Sequence, residues 1–531
     1  MAKLRVVLIA LATLVAFYFA MPVQSQGQTV GLLQNDQGSF VGYTFFSPLP
    51  SEKAYLIDNN GELVHSWDIG PGLSSYLLED GSVIHTADII YNLKYIWGGQ
   101  TGGVQRYDWD GNLIWEYTYS DRAPGFDYHL HHDLEVLPNG NILMIAWERQ
   151  TVAEAVAAGR DPDSLEGEMH SLRLIEVEPV GPTGGNIVWE WNAFDHLTQD
   201  FDATKDNFRV VADHPELIDV NFSDANLFGE GEPDWLHTNS VEYNPELDQI
   251  LVSVRHFSEI WVIDHSTTTE EAASHSGGTG GKGGDLLYRW GNPEAYGAGD
   301  ADDQQLFVQH DARWIEPGLP GAGNILVFSN GPRPAGDISS VEEIVPPVDG
   351  LGNYTLTPGE AYGPATPVWS YSDPGAFYSK LVSSAQRLPN GNTLINEGSS
   401  GEFFEVDPSG SIVWRYVNPV GTDGPLTQGD PRPELGFAVF RVTRYAPDYP
   451  GLAGRDLTPG GPLSTARLGD VDCDGDVSSI DAALILQLTA GVVTSLYCQE
   501  SGDVDGDGDT TSIDAALILQ FTAGLLNTLP A

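Results

Sequence analysis

The sequence predicts an all-β domain built as a six-bladed β-propeller, followed by a small α-helical module at the C-terminal end. Three observations lead to this prediction. A strand motif with paired aromatic residues occurs six times, a second hairpin pattern recurs between its copies, and a short acidic segment is duplicated after residue 468. A chain of 531 residues is also too long for one ordinary hydrophobic core, so a large domain with smaller parts is expected.

The strand motif begins with a turn rich in Gly, Asp and Asn, continues with two apolar residues and ends in aromatic residues two positions apart. Its copies cover residues 58–67, 108–117, 185–191, 284–290, 366–371 and 407–416. Turn residues followed by a period of two are typical of a hairpin that leads into a half-buried strand. Each copy therefore predicts one strand of a repeated unit.

The second pattern is a strand, a Pro-Asn-Gly turn and another strand, as in LEVLPNGNIL at 134–143 and AQRLPNGNTL at 385–394. Two hairpins per repeat give four strands, and six such units fit a propeller whose blades pack around a central channel. A row of independent sandwich domains is the alternative, but it would not require the same aromatic pair six times. We therefore assign residues 30–447 to the propeller.

The charge of the chain restricts its partners. Seventy-five acidic against 24 basic side chains give a net charge of −51, which repels phosphate backbones and anionic lipid, so we expect no nucleic-acid partner. We expect most of these acidic side chains to form a solvated surface, and the rest to bind cations.

The first 25 residues have the pattern of a secretory signal peptide. Lys3 and Arg5 precede an apolar run over 6–20, and small and polar residues follow near Ser25. A membrane anchor is the alternative, but the run is short for a span of ~20 residues. We expect cleavage, a secreted or cell-surface protein and no membrane span in the mature chain.

Histidines occur where the repeats predict the start of an inner strand. His132, His237 and His310 hold this place in three blades, Ser383 lies near it in another, and Arg255 ends a strand of the His237 blade. Equivalent places in a propeller lie together near the axis. Such a ring could hold a metal ion through its imidazole nitrogens, or a tetrahedral oxyanion with one neutral His as nucleophile.

Four segments around these residues resemble the bacterial aryl-sulfate sulfotransferases: HHDLEVLPNGN from His131, DWLHTNSV around His237, VSVRHFS around Arg255 and QHDARW around His310. The resemblance covers residues from about 40 to 450. It implies a six-bladed propeller that moves a sulfuryl group from a phenolic sulfate donor to a phenolic acceptor, without a nucleotide cofactor.

The same resemblance implies roles for individual residues. His310 would be the nucleophile that forms a sulfohistidine, while His132, His237 and Arg255 would hold the sulfate and stabilise charge. His131 is next to His132, and strand alternation lets one of the two face the channel. Asn239 is expected to orient the substrate or to cap a turn. Two half-reactions through one covalent intermediate predict ping-pong kinetics.

A segment rich in Pro and Gly, residues 448–467, is predicted to be a linker. After it, residues 468–531 contain a duplication in which GDVDCDGDVSSIDAALILQ is followed by GDVDGDGDTTSIDAALILQ. Each copy has oxygen ligands at loop positions 1, 3, 5, 9 and 12, with Gly at position 6 where the chain turns sharply. The duplication therefore predicts two calcium ions, one in each loop.

The predicted calcium ligands are, in the first loop, Asp470, Asp472, Asp474, Ser478 and Asp481 with the carbonyl of Asp476, and in the second loop Asp503, Asp505, Asp507, Thr511 and Asp514 with the carbonyl of Asp509. So many carboxylates repel one another unless a hard cation lies between them. Each loop has Asp at position 12 and one helix after it, with no helix before it.

These paired F-hand loops resemble a type I dockerin over the whole segment. The resemblance implies a cohesin-bearing scaffold as partner, with Ser479, Ile480, Ser512 and Ile513 as contact residues in two pseudo-symmetric orientations. Cys473 and Cys498 are expected to form a disulfide in an oxidising compartment, and two free thiols are the alternative.

The leading interpretation is thus a secreted sulfotransferase attached to a scaffold by its dockerin. Two alternatives stay open: a propeller that binds a sulfated or phenolic glycan without turnover, and a polysaccharide-processing component of a dockerin and cohesin assembly. The repeats place no pair of carboxylates in the way that they place the histidines.

Overall fold

The computed structural model describes residues 28–120, 127–223, 233–433 and 435–530, so the predicted signal peptide, residues 1–25, lies outside the described residues. The chain divides into two compact units. The larger unit is Gln34–Thr422 with Pro433–Gly461, and the smaller one joins the described parts of Met1–Leu33, Asp423–Arg432 and Pro462–Ala531.

The larger unit is a six-bladed propeller, which confirms the predicted fold. Among the described residues it contains six antiparallel sheets, each with four strands from the axis outward. From innermost to outermost strand, the first three blades are Val439–Tyr445, Tyr43–Pro48, Lys53–Ile57 and Leu63–Asp68; Gly72–Leu77, Val83–Asp88, Gly102–Tyr107 and Leu113–Thr118; Tyr128–Val136, Ile142–Gln150, Met169–Pro179 and Gly185–Asn192.

The next three blades, in the same order, are Thr238–Asn244, Gln249–Val254, Glu259–Asp264 and Tyr288–Trp290; His310–Trp314, Ile325–Ser329, Ser340–Ile344 and Trp369–Tyr371; Ser384–Arg387, Thr393–Glu397, Glu402–Val406 and Ile412–Val417. Further strands are Gly31–Asn35, Leu197–Thr198, Ile218–Asp219, Val420–Gly421 and Gly424–Pro425. Short helical segments of the propeller are Val152–Ala157, Pro162–Ser164, Ala193–His196, Val211–Asp213, Arg255–Phe257, Thr269–Ala272, Pro293–Tyr296, Ala301–Asp303 and Pro450–Leu452.

Each copy of the aromatic motif forms the outermost strand of a blade, and the contacts explain why the motif recurs. The indole N–H groups of Trp115, Trp191, Trp290 and Trp414 donate to the carbonyls of Gly184, Gly284, Pro364 and Asn59, at 2.9, 2.7, 2.8 and 2.9 Å. Every one of these carbonyls precedes the outermost strand of the next blade. The aromatic residue therefore fastens neighbouring blades at their outer edges and satisfies a buried donor.

The first blade closes the ring by combining strands from both ends of the propeller, because its innermost strand is Val439–Tyr445. The Arg444 guanidinium on this strand contacts Glu405 of the sixth blade at 3.1 Å and lies 4.2 Å from the ring centroid of Trp414. Both charged groups are fully buried. Removal of either partner would leave a buried charge, so this pair fixes the closure of the ring.

Part of the predicted linker packs on the propeller. Leu452 is buried, the Tyr449 hydroxyl donates to the Leu77 carbonyl at 2.9 Å, and the Leu63 N–H donates to the Gly461 carbonyl at 2.7 Å. Residues 448–461 therefore pack on the first two blades, and their Pro and Gly residues belong to a tightly turned surface segment.

The smaller unit contains the helices Ser479–Thr489 and Ser512–Thr522 and the short helical segment Gln499–Gly502. The α-helices pack through apolar side chains, including Ala482, Ile485, Ala515 and Ile518. Cys473 and Cys498 form a disulfide, as predicted. None of the helices in the described residues is long and apolar enough to cross a membrane.

Candidate functional site

Equivalent positions on the innermost strands are defined by hydrogen bonds between blades. The backbone N–H groups of Val241, Ala312, Ala385 and Val442 donate to the side chains of Asp133, Ser240, Asp311 and Ser384, at 3.0, 3.1, 3.0 and 3.2 Å. The residues that precede these acceptors are His132, Asn239, His310 and Ser383. His132 and His310 thus occupy equivalent places in their blades.

His237 does not occupy the equivalent place, which corrects the register predicted from the sequence. It lies two residues earlier than Asn239 and directly before the strand Thr238–Asn244, whereas His132 lies inside its strand and His310 begins one. The register depends on bonds between blades, which the repeat pattern of a single blade does not reveal. The backbone of His237 is left-handed, with φ 45°, and this bend turns its side chain toward the other histidines.

The structure brings the rings of His132 and His237 together, with centroids 4.7 Å apart. Phe440, on the innermost strand of the first blade, is close to two of the histidines: its ring centroid is 6.2 Å from that of His132 and 6.0 Å from that of His310. Arg255 follows the second strand of the fourth blade, and its side chain is partly exposed. Imidazole, guanidinium and aromatic groups therefore meet at the inner end of four blades.

The His310 ring is held in one orientation by the chain around it. Its Nδ1 is 2.7 Å from the Asn330 Oδ1, while its Nε2 accepts a hydrogen bond from the Val382 N–H at 3.3 Å. The Asn330 amide donates to the carbonyls of Ser379 and Val382, both at 2.9 Å, so its oxygen faces the imidazole. The hydrogen of His310 therefore resides on Nδ1, and Nε2 presents a lone pair.

Burial and the nearby charge of Arg255 hold the pKa of His310 well below its usual value. The pKa of His132 is lowered in the same direction by burial and by its histidine neighbours. Both rings are therefore neutral at physiological pH, and a neutral imidazole has the free electron pair that a nucleophile needs.

His237 has a carboxylate partner. Its Nδ1 is 2.5 Å from the Asp234 Oδ2, and the other oxygen of this carboxylate accepts the indole N–H of Trp147 at 2.8 Å. Burial alone would raise the pKa of the Asp234 carboxyl, but the charge and hydrogen bond of His237 hold it far below its usual value. An ionised carboxylate accepts the hydrogen on Nδ1 and fixes the orientation of the imidazole, so His237 is positioned to exchange a proton through its other nitrogen.

His131 and Asn239, the predicted substrate-binding residues, contact protein groups. The His131 ring stacks on Trp147 with centroids 4.0 Å apart, and its Nδ1 is 2.8 Å from the Nδ1 of His132. Of the two adjacent histidines, His132 is thus the one that meets His237. The Asn239 amide donates to the Gln309 carbonyl at 2.7 Å, directly before His310, while its Oδ1 is buried and has no hydrogen-bond partner in the described residues.

The cluster favours an anion over a metal ion. Asp234, His237 and His256 present ligand atoms within 4.8 Å of one another. However, His256 Nδ1 contacts the Asp234 carbonyl at 2.7 Å, and its Nε2 contacts the Arg255 guanidinium at 3.1 Å. A permanent positive charge at that nitrogen opposes a second cation, whereas guanidinium and imidazole N–H groups together suit a sulfuryl group.

Sequence reasoning missed several groups that shape this site: Asp234, Trp147, Asn330, Phe440 and Arg441. Arg441 bonds the carboxylates of Asp133 and Asp311, at 2.6 and 3.1 Å, below the histidines. Asp234 stands three residues before His237, a spacing that could have suggested the pair. The others come from different blades, and nothing in their own segments indicates a role.

The acidic loops of the smaller unit have the geometry of calcium sites. Carboxylate oxygens of Asp470, Asp472 and Asp481 lie within 4.8 Å of one another, as do those of Asp503, Asp505 and Asp514. Asp472 Oδ2 is buried and meets no hydrogen-bond donor among the residues described. Burial and the neighbouring carboxylates raise the pKa of Asp472 to about 7, because the charged form is poorly solvated and is repelled by the other carboxylates. The residues fit calcium, which prefers oxygen ligands.

The remaining predicted ligands have additional partners. The carboxylates of Asp474 and Asp507 accept the backbone N–H groups of Asp476 and Asp509. Ser478 and Thr511 cap the two helices, because their hydroxyls accept the N–H groups of Ile480 and Ile513 at 3.0 and 3.1 Å. Ser479, Ile480, Ser512 and Ile513, the predicted cohesin contacts, lie in the first helical turns, where Ile513 is 57% exposed.

A family model described as arylsulfotransferase (ASST) matches residues 50–418, and one described as dockerin type I domain matches residues 468–521. No curated protein matches the chain. A protein of unknown function from Bacteroides caccae is 12% identical, with 72% of this chain and 95% of that chain covered and a TM-score of 0.38. A streptogramin B lyase is 9% identical, with 80% and 96% covered and a TM-score of 0.34.

For the smaller unit, a chain from the complex of the third cohesin ScaC with a mutated ScaB dockerin from Acetivibrio cellulolyticus is 36% identical. The alignment covers 12% of this chain and 92% of that chain, with a TM-score of 0.12.

Proposed function

Because the match over residues 50–418 shows that the chain belongs to the arylsulfotransferase family, we propose that its propeller transfers a sulfuryl group between phenolic compounds through a sulfohistidine at His310. One observation carries this proposal. The Asn330 oxygen holds the hydrogen of His310 on Nδ1, so the Nε2 lone pair of the neutral ring is engaged only by the long bond from the Val382 N–H, at 3.3 Å, which the sulfur of a substrate replaces.

In the first half-reaction, His310 Nε2 attacks the sulfur of an aryl sulfate. The N–S bond forms as the bond between sulfur and the phenolic oxygen breaks, and the electron pair leaves on the phenolate. His237, supported by the Asp234 carboxylate, gives the phenolate its proton. Arg255 and His132 bind sulfuryl oxygens and stabilise the charge that develops on them.

The second half-reaction reverses these steps with another phenol. His237 takes the proton of the acceptor hydroxyl, the phenolic oxygen attacks sulfur, and the N–S bond to His310 breaks. The chain needs no nucleotide cofactor for this cycle, and the kinetics are ping-pong. Phe440, close to both His132 and His310, offers an aromatic surface to the phenyl ring of either substrate.

The C-terminal dockerin supports a second part of the proposal, attachment to a cohesin-bearing scaffold while both loops hold calcium. The four residues of the first helical turns, Ser479, Ile480, Ser512 and Ile513, would contact the cohesin. The dockerin and the disulfide support an extracellular location. Binding to purified type I cohesins, measured by calorimetry with calcium and again with EGTA, tests this part. Binding that survives EGTA would contradict it.

Turnover is tested with p-nitrophenyl sulfate as donor and phenol as acceptor, in calcium, for wild type and His310→Ala. His214→Ala is the matched control, because His214 pairs with Glu216 at the surface, outside the cluster. We expect phenol-dependent release of nitrophenol by wild type and control, and its loss in His310→Ala. Folded wild type that releases no nitrophenol would favour a binding propeller, and release by His310→Ala would exclude this nucleophile.

A further inference from the structure

A second group of histidines lies at the outer edge of the third and fourth blades, away from the innermost strands. His196 ends the short helix Ala193–His196 that follows the outermost strand of the third blade. His275 and Asp285 lie before the outermost strand of the fourth blade, Tyr288–Trp290. The proposed sulfuryl transfer uses none of these residues.

Three ligand atoms converge at this place. The Nδ1 atoms of His196 and His275 lie 2.8 and 2.7 Å from the same oxygen, Asp285 Oδ1, and the two imidazole rings are nearly perpendicular. His196 is fully buried and Asp285 nearly so, whereas the His275 side chain is 55% exposed. Two imidazoles and one carboxylate thus share a point that solvent reaches from one side.

The hydrogen bond at Nε2 of His196 determines whether its Nδ1 carries a hydrogen or a lone pair. Its Nε2 is 2.9 Å from the Ala272 carbonyl, and because a carbonyl only accepts, Nε2 carries the hydrogen. In neutral His196, a lone pair on Nδ1 then faces a carboxylate oxygen at 2.8 Å. Two acceptors this close repel unless positive charge lies between them. Histidines that bind metals show the same arrangement, one nitrogen on the ion and the other donating to a carbonyl.

The backbone around these three side chains packs closely against the His196 ring. A Cβ on Gly284 would lie 2.6 Å from His196 Nε2 and 2.0 Å from the Ala272 carbonyl, so only glycine fits there. The Gly284 N–H donates to the Ser274 carbonyl at 3.0 Å, which ties together the neighbours of His275 and Asp285. Trp191 stacks on the His196 ring and donates to the Gly284 carbonyl at 2.7 Å. The three ligands are therefore positioned by a rigid surrounding.

We propose that His196, His275 and Asp285 bind one divalent transition-metal ion of the zinc class. Two imidazoles with one carboxylate select zinc and its neighbours over calcium, which prefers oxygen ligands. The exposed side of His275 leaves a fourth position for water. The ion would clamp the glycine-rich segment 276–284 to the end of the third blade. Its role is structural, since its ligands lie on the connections that flank the outermost strands of these two blades.

The full chain is incubated with zinc chloride, desalted into buffer with excess calcium so that the dockerin loops are filled, and analysed for bound metal by mass spectrometry. We expect about one zinc ion per chain in wild type. His275→Ala, which alters a half-exposed side chain, should keep the fold and weaken zinc binding by more than roughly 100-fold. His214→Ala, a surface histidine paired with Glu216, should bind zinc as wild type does.

Cobalt provides a second measurement, because its visible absorption is strong in a four-coordinate site and weak in a six-coordinate oxygen site. Wild type and His214→Ala should develop visible bands with cobalt, and His275→Ala should not. Absence of retained zinc in folded wild type would overturn the proposal and leave the three side chains as a hydrogen-bonded group without a metal. Equal zinc retention in wild type and His275→Ala would overturn it as well.

Discussion

The substitution Asn330→Ala tests whether the chain fixes the tautomer of His310. Asn330 is buried, its oxygen lies 2.7 Å from His310 Nδ1, and its amide donates to the carbonyls of Ser379 and Val382. The alanine variant loses all three hydrogen bonds. His310 then has no acceptor that holds its hydrogen on Nδ1, and only the long bond from the Val382 N–H, at 3.3 Å, still opposes a hydrogen on Nε2. The tautomer with the hydrogen on Nε2, which is not nucleophilic at that atom, therefore becomes more populated.

The expected loss of kcat is roughly 10²–10⁴-fold, the range for a catalytic imidazole that is wrongly protonated or oriented. Stability should fall by roughly 1–3 kcal/mol, since buried carbonyls lose their donors. Asn396→Ala is the matched control. Its amide makes similar bonds one blade later, to the carbonyls of Val439 and Phe440 at 2.9 and 3.1 Å.

Both variants are compared by urea unfolding, by transfer from p-nitrophenyl sulfate to phenol, and by the pH dependence of kcat. The two should lose similar stability, but only Asn330→Ala should lose most of its kcat and show a changed pH profile. Nitrogen NMR of labelled histidine reports the tautomer directly. If Asn330→Ala keeps wild-type kcat while folded, or if Asn396→Ala loses as much activity, the tautomer argument is refuted.

Three further predictions concern other parts of the chain. Arg441→Leu should destabilise the propeller by about 3–5 kcal/mol in urea unfolding, because Asp133 loses its buried countercharge and Asp311 keeps only Arg313; a loss below ~1 kcal/mol would show that Arg441 does not stabilise the Asp133 carboxylate. Replacing Cys473 and Cys498 by Ser should lower the stability of the calcium-loaded dockerin by roughly 3 kcal/mol in thermal unfolding, and an unchanged transition would contradict this. Removal of calcium with EGTA should unfold the dockerin helices and leave the propeller transition in place, as followed by circular dichroism, whereas helices that persist would show that carboxylate repulsion does not govern this unit.

The blade architecture was predictable because the same kind of buried contact recurs between neighbouring blades. Each outermost strand has to bury aromatic side chains against the next blade, and the resulting motif is visible at six places in the sequence. The two acidic loops were predictable for a similar reason, since the spacing of their carboxylates within a dozen residues is local. Cys473 also illustrates a local constraint: its φ of 61° matches that of Gly506 at the same position of the second loop, φ 72°.

The candidate site was only partly predictable because its geometry depends on contacts between blades. The sequence pointed to His132, His237 and His310 but placed His237 in the wrong register, which the bond from the Val241 N–H to Asp133 defines. Asn330 could not be found in this way, since its segment carries no pattern that links it to His310. The first part of the predicted linker was mistaken because Pro and Gly occur in packed turns as well as in extended connections.

The most direct test of the central claim is to look for the covalent intermediate. The protein is mixed with p-nitrophenyl sulfate in calcium without an acceptor, quenched in alkali and analysed by intact and peptide mass spectrometry. We predict one added sulfuryl group on the peptide that contains His310, its removal when phenol is added before the quench, and its absence in His310→Ala. Nitrophenol release by wild type without any modified His310, or a sulfuryl group on another residue, would contradict the account.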